Sequence, residues 1–319
     1  MNTAVFGHRG TLKSPCFYIF VVLMSVFALL SMAEVCIAQP AVIPLRAKTK
    51  IFQPGEQVIL CFNGRKETIV IRQYLRSSRF TEAMRIIPFP SNVSFGSANF
   101  SIFARMKRIV KSKHVTLKNP ITRSSTRKKT KQFQFFVSDR YLSKPREATV
   151  LRISKLDFLI NLITSKVPTT GEFTPAIATI TEKTKAMFAS YLENDFKYFY
   201  VDRLKIRPKT RGIAPTRFSF RTSLLYYPFK LSRFFSQSGD IVVYLVYKKG
   251  LFSGKKISFP GTRWMASDRY LLSREEVGKI DPEIASLFQS GKIELQLFRY
   301  RGRLSSFSSD LLTLPGENP

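Results

Sequence analysis

The sequence predicts an α+β protein: a β-rich body of antiparallel strands with a few packed helices, preceded by an N-terminal hydrophobic helix. Three observations lead there. Strand-like runs come first, helical periodicity follows in separate blocks, and strand-like runs return, which is not the strict alternation of a parallel sheet. Hydrophobic residues make up 44% of 319 and aromatic residues 13%, with 29 Phe against one Trp, far too apolar for disorder. The third is the start: Arg9 and Lys13 lead into Phe17–Leu30, an apolar run broken by Ser25, and small residues up to Ala38 follow.

That start has the charge, apolar length and small-residue exit of an export signal. Phe17–Leu30 is shorter than the roughly 20 residues a spanning helix needs, and stretching it from Cys16 to Ala33 is borderline. Residues 1–38 are therefore expected to be a signal peptide or an N-terminal membrane anchor, with Val35 before Cys36 arguing against a lipoprotein. Residues 39–314 are expected to form one α+β domain with a basic flexible connector at 112–131, and 315–319 a loose tail.

Within that body, Glu56–Phe62 and Glu67–Tyr74 read as strands. Asn63-Gly64 between them is a hairpin signal, because both residues tolerate positive φ. Ala83–Ile87 is a third strand, stopped by Pro88-Phe89-Pro90. Over Ser97–Val110 the period changes. Phe100, Phe103, Met106 and Val110 share one helical face, and Arg105, Lys107, Arg108 and Lys111 take the others. Gln132–Val137 and Ala148–Ile153 are short strands, residues 155–165 a short helix, and Ala176–Glu193 a longer one after the break at Gly171–Pro175. Strands resume at Phe196–Ile206, Arg217–Thr222, Leu224–Phe229 and Ile241–Tyr247. Leu272–Gln289 reads as two helices meeting where Asp281 can cap and Pro282 can start. Ile293–Tyr300 is the last strand.

Parts for catalysis are scarce. After cleavage at Ala38 one cysteine and one histidine remain, Cys61 in an apolar run and His114 in the basic connector. A single thiol cannot form an internal disulfide, and the pair cannot make an ordinary zinc site. Glu193 with Asp195, and Glu275 with Glu276, are the carboxylate pairs a hydrolase could use. The bland readings are a helix end for the first and dipole-favoured acids in a first turn for the second. No phosphate-binding glycine loop is present in the sequence, and no cofactor is implied.

Charge is the remaining signal. The chain carries +31, and its exported part about +30. Eleven Lys/Arg and no acid lie from Arg105 to Lys131; ten against Asp202 alone lie from Lys197 to Arg233. Such clusters attract polyanions. The anion-binding candidates are Arg105, Lys107, Arg108, Lys111, Lys113, Arg127, Lys128, Lys129 and Lys131, with Arg203, Lys205 and Arg207. Tyr198, Phe199, Tyr200, Phe218 and Phe220 accompany the second cluster, either as a base-stacking surface or as core-facing strand residues.

The order of three groups of segments resembles a known family. They are Gly55-Glu56-Gln57-Val58-Ile59-Leu60 with Ile86-Ile87-Pro88-Phe89-Pro90, then Thr149-Val150-Leu151 with the helix after it. The third is Phe196–Ile206, Arg217–Thr222 and Leu225-Tyr226-Tyr227-Pro228-Phe229-Lys230-Leu231. This is similar to an uncharacterised family of exported bacterial proteins, domain of unknown function 2330, over roughly residues 50–250. The cysteine- and glycine-rich start of many members is missing here, as is the C-terminal membrane segment of some. The resemblance implies export but no catalytic residues.

The expectation is an exported or membrane-anchored, non-enzymatic envelope protein that meets an anionic membrane or envelope polymer. The alternatives are a nucleic-acid-binding protein tethered by its N-terminal anchor, and a carboxylate-dependent hydrolase.

Overall fold

The computed structural model describes residues 42–45, 49–118, 145–165, 181–209, 211–235, 237–261, 263–289 and 291–316. The expected signal or anchor (1–38), the strand at 132–137, the break at 171–175, the first residues of the 176–193 helix and most of the 112–131 connector lie outside them. So do Arg127, Lys128, Lys129 and Lys131, and the last three residues of the tail. All the described elements belong to one compact unit, residues 38–319.

The hairpin forms where the Asn-Gly pair sits. Strand β2 (Ile51–Phe62) turns into β3 (Lys66–Ser77), with Gly64 at φ +94° and Asn63 Oδ1 accepting the backbone N–H groups of Arg65 and Lys66. A Cβ at Gly64 would also meet Leu251 at 3.0 Å. Around this hairpin grows a ten-stranded sheet. Its path is β5 (Val93–Ser97), β10 (Thr216–Arg221), β3, β2, β12 (Ser238–Lys248), β15 (Ile293–Arg303), β13 (Trp264–Ser267) and β6 (Leu117–Lys118). Two short strands, β9 (Arg211–Gly212) and β14 (Tyr270–Leu272), join β3 and β15. A four-stranded sheet holds β1 (Val42–Pro44), β4 (Thr81–Phe89), β8 (Tyr198–Ile206) and β7 (Arg146–Arg152). Strands β11 (Leu225–Tyr227) and β16 (Leu311–Thr313) form a small ribbon.

Alternation along β2 separates two cores. Val58, Leu60 and Phe62 face the four-stranded sheet; Ile59 and Cys61 face helices. The second core is closed by α1 (Ile102–Ser112), through Ile102, Phe103 and Met106, and by α4 (Arg274–Ile280) and α5 (Pro282–Ser286), through Val277, Ile280 and Ile284. Helices α2 (Leu156–Ser165) and α3 (Glu182–Glu193) add to the first core, Leu159 and Phe188 being buried there; Phe188 meets Phe199, on the outer face of the small sheet. The layers run helix, small sheet, large sheet, helix.

The β-rich body, its mostly antiparallel pairing and its few helices agree with the sequence reading. Three details differ. Strand β12 runs parallel to β2, a pairing that needs a long crossover and leaves no local trace. Strand β4 continues through Pro88 to Phe89. Its partner β1 pairs only Ala83–Arg85, so beyond that point one side of β4 has no strand beside it among the described residues, where a missing ladder donor is tolerated. The helix expected from Ser97 begins at Ile102, because residues 93–97 pair as an edge strand and Asn99 Oδ1 accepts the Ser101 N–H in a turn. Phe100 is consequently outside the helix and exposed. Asp281 does cap α5, accepting from the N–H groups of Glu283 and Ile284, with Pro282 at its first position.

Candidate functional site

Between the two sheets lies a buried polar chain. Arg85 is fully enclosed and grips Asp202 with two hydrogen bonds, of 3.1 and 2.5 Å. It also donates to Gln73 and Thr216. Gln73 and Gln53 donate to Glu56, and Tyr227 donates to its other oxygen at 2.5 Å. Burial alone would lower the Arg85 pKa, but Asp202 beside it keeps the guanidinium charged, above its ordinary value. Burial raises Glu56 and, more strongly, Glu67, whose carboxylate accepts the Tyr226 N–H. Tyr226 in turn donates to the Pro88 carbonyl. Glu56, Pro88, Tyr226 and Tyr227 come from separate segments of the family resemblance, and the fold brings them together here. No surface reaches this network, so it is structural.

Among the concavities that open to solvent, two are lined by several charged side chains. The first is a groove of about 680 Å³ at the hairpin turn. Arg65, Lys66 and Lys248 are exposed on its walls, and none has an ion-pair partner among the described residues. Arg217 rises from β10 into the same groove, paired with Asp281 and Glu283 of the facing helix, and its Nε is buried without a partner. Thr68 and Ser219 share a hydrogen bond on the floor, and Asn63 Nδ2 ties the turn to the Leu287 carbonyl. Cations outnumber acids, and the lining is otherwise hydroxyl and amide.

The second is a cleft of about 500 Å³ at the C-terminal end of α3. Lys230 Nζ donates to Ser190 Oγ at 2.5 Å and lies 5.4 Å from the Tyr191 ring centroid. Asp310 accepts the Lys230 backbone N–H at 2.7 Å. Burial lifts the Asp310 carboxyl to about 6, against the lowering pull of the Tyr191 hydroxyl and of Lys230. Burial, and the Asp310 carboxylate beside it, push the Tyr191 hydroxyl well above its ordinary value.

The sequence-selected cations do not converge. Arg105, Lys107, Arg108, Lys111 and Lys113 belong to α1 and the turn after it, on the helix side of the large sheet. Arg105 donates to the Ile280 carbonyl and Lys113 pairs with Glu276. Arg203 and Lys205 lie on the opposite side of the molecule's large sheet, on the outer face of the small one, beside Glu147 and Glu82 respectively; Arg207, just past β8, is exposed. Phe199, Tyr200, Phe218 and Phe220 are interior, so they offer no stacking surface.

Three of the four candidate acids are engaged in other contacts. Glu193 ends α3 and is exposed, and Asp195, at φ +64°, pairs with Lys197. Glu275 pairs with Lys279, and Glu276 completes a capping box with Ser273. Cys61 is fully buried, and His114 sits exposed in a turn at φ +50°. Among the described residues no cluster of His, Cys, Asp or Glu could hold a metal ion, and no helix is long and apolar enough to cross a membrane. The groove cations were not selected from the sequence, although Arg65 and Lys66 flank the turn it identified and Arg217 lies in its second basic cluster.

Comparison with known proteins gives a family and little else. No curated protein matches. A solved structure, that of a mutated baculovirus P35 after caspase cleavage, aligns over 82% of this chain and 99% of that one, at 8% identity and a TM-score of 0.35; so slight a likeness carries no argument. A family profile described as an uncharacterised protein conserved in bacteria, DUF2330, matches residues 36–252. The match takes in every strand from β1 to β12 and excludes α4, α5, β15 and Asp310. Covering well over half of the sequence, it shows that the chain belongs to this bacterial DUF2330 family.

Proposed function

We propose that this protein is an exported or membrane-anchored, non-enzymatic component of the cell envelope, and that it associates electrostatically with anionic surfaces or polymers. The hairpin groove carries the reading. Arg65, Lys66 and Lys248 stand there unpaired beside Arg217, in a molecule of net charge +31. Cations in a concave surface focus potential and raise the local concentration of polyanions, an effect that salt weakens. The leader at residues 1–38 supports export, and the ion pairs and capping contacts of Asp195, Glu275 and Glu276 favour a binding role over hydrolysis.

The test uses the full chain in neutral detergent, titrated with polyphosphate across a salt series. Binding should weaken steeply with salt. Replacing Arg65, Lys66 and Lys248 together by Ala should cost roughly a hundredfold at low salt, at about 1 kcal/mol per cation facing an anionic partner. Salt-indifferent binding, or a triple variant that binds as the parent does, rejects the groove. Export is tested separately by sequencing the N-terminus of the protein recovered from its native cell. A cytosolic chain with residues 1–38 intact rejects it.

A further inference from the structure

Two acids hold Arg217 in the hairpin groove, and they differ in kind. Asp281 is buried. One of its oxygens caps α5 by accepting the Glu283 and Ile284 N–H groups, and the other accepts from Arg217 Nη2 at 2.5 Å. The helix start fixes its position. Glu283 reaches Arg217 Nη1 from a side chain that is 74% exposed, and this is its carboxylate's one contact among the described residues. An ion pair so exposed contributes little, so another anion can take its place.

The groove supplies what such an anion needs. Arg65, Lys66 and Lys248 stand on its walls, and Glu283 is the one acid among the described residues that line it. Asp281 already balances Arg217, so three cations remain without an acid of their own. Ser219 lies two residues from Arg217, on the same face of β10, and Thr68 bonds to it from β3. Each hydroxyl carries one proton, and their mutual bond uses only one of the two, so the other is left for a ligand.

We infer that Glu283 is a built-in competitor. Its carboxylate holds the Arg217 Nη1 that the groove's ligand takes, and that ligand is an anionic chain ending in a phosphate group. The inference rests on the polyanion reading of the groove and names the chemistry of the partner. A carboxylate would offer Arg217 no more than Glu283 already does. A terminal phosphate has three free oxygens, enough to face the guanidinium and the Thr68–Ser219 hydroxyl pair together. The rest of the chain lies along Arg65, Lys66 and Lys248, and Asp281 keeps Arg217 in place throughout.

The experiment titrates the full chain, in neutral detergent at about 0.1 M salt, with tripolyphosphate and with an amidated pentaglutamate, followed by calorimetry. Glu283→Gln should tighten tripolyphosphate binding about fivefold, the upper end for an exposed pair. Glu275→Gln removes the same charge from the preceding helix, where Glu275 pairs with Lys279, and should change binding less than about twofold. In an Arg217→Gln background the gain from Glu283→Gln should vanish. Pentaglutamate should bind the parent more weakly than tripolyphosphate does. The inference is overturned if Glu283→Gln gains no more than Glu275→Gln, if its gain survives the loss of Arg217, or if pentaglutamate binds as tightly. The first comparison involves only exposed side chains, so it stands even where Arg217→Gln fails to fold. An Arg65, Lys66 and Lys248 triple variant that binds tripolyphosphate as the parent does defeats the groove reading, and this inference with it. A triple variant that loses binding, beside a Glu283→Gln variant that gains nothing, defeats this inference alone.

Discussion

The two faces of the large sheet are built on different principles. The face toward the small sheet encloses ions: Arg85, Asp202 and Glu56 lie in one hydrogen-bonded chain among Phe and Ile side chains. The face toward the helices encloses mostly apolar groups and Cys61, with Arg72 stacked over the Phe103 ring, and keeps its ion pairs nearer the margins, where Arg217 meets Asp281 and Arg299 meets Asp240. The chain's history along the sequence differs as well. The ion-bearing residues all lie within the family-matched segment, whereas Val277, Ile280, Ile284 and Leu295 of the helix-side core lie beyond it. A sandwich core can be closed in several registers by grease alone. A buried guanidinium with a single carboxylate in reach penalises every register that separates them, since an unpaired buried ion costs several kcal/mol. Helices packed on a sheet carry less of that ambiguity, and volume suffices.

The contrast is broken most directly at Arg85. Arg85→Met should cost about 3–5 kcal/mol in urea unfolding, because Asp202 stays buried without its partner. A loss under about 1 kcal/mol would mean that the two faces are alike. Asp310 gives a pH-dependent effect. Its carboxyl titrates near 6 when folded, above its unfolded value, so the native state holds the proton more tightly and stability falls as pH rises from about 4 to 6. Asp310→Asn should remove up to about 3 kcal/mol of that fall, read as the difference between the two denaturation curves across the window. On the helix side, Asp281→Ala should cost about 1–2 kcal/mol, through a lost cap and a weakened hold on Arg217. The smallest effect belongs to the apolar interior there: Met106→Leu should cost less than about 1.5 kcal/mol, as a near volume-conserving change. A larger loss would show that the helix-side core is as exacting as the sandwich.

Much of the fold was legible where the signal is local. The Asn63-Gly64 turn, the Asp281-Pro282 junction and the strands around Ile59, Val201 and Val243 follow from positive φ, capping chemistry and β-branched runs. The site was less so. Lys and Arg runs drew attention to Arg105–Lys113 and Arg203–Arg207, but acids distant in sequence, Glu276, Glu147 and Glu82, lie against some of these cations. Asp202 looked like a lone acid in a basic run and is the partner of a buried arginine 117 residues away.

By itself the sequence determined the elements, the excess of positive charge and the family, because each is written in neighbouring residues or in their sum. Only the tertiary structure decided which charges remain unpaired, that β12 lies parallel to β2, and that Tyr191, Lys230 and Asp310 share a cleft. Those depend on contacts between residues far apart along the chain, and such contacts leave no periodicity to read.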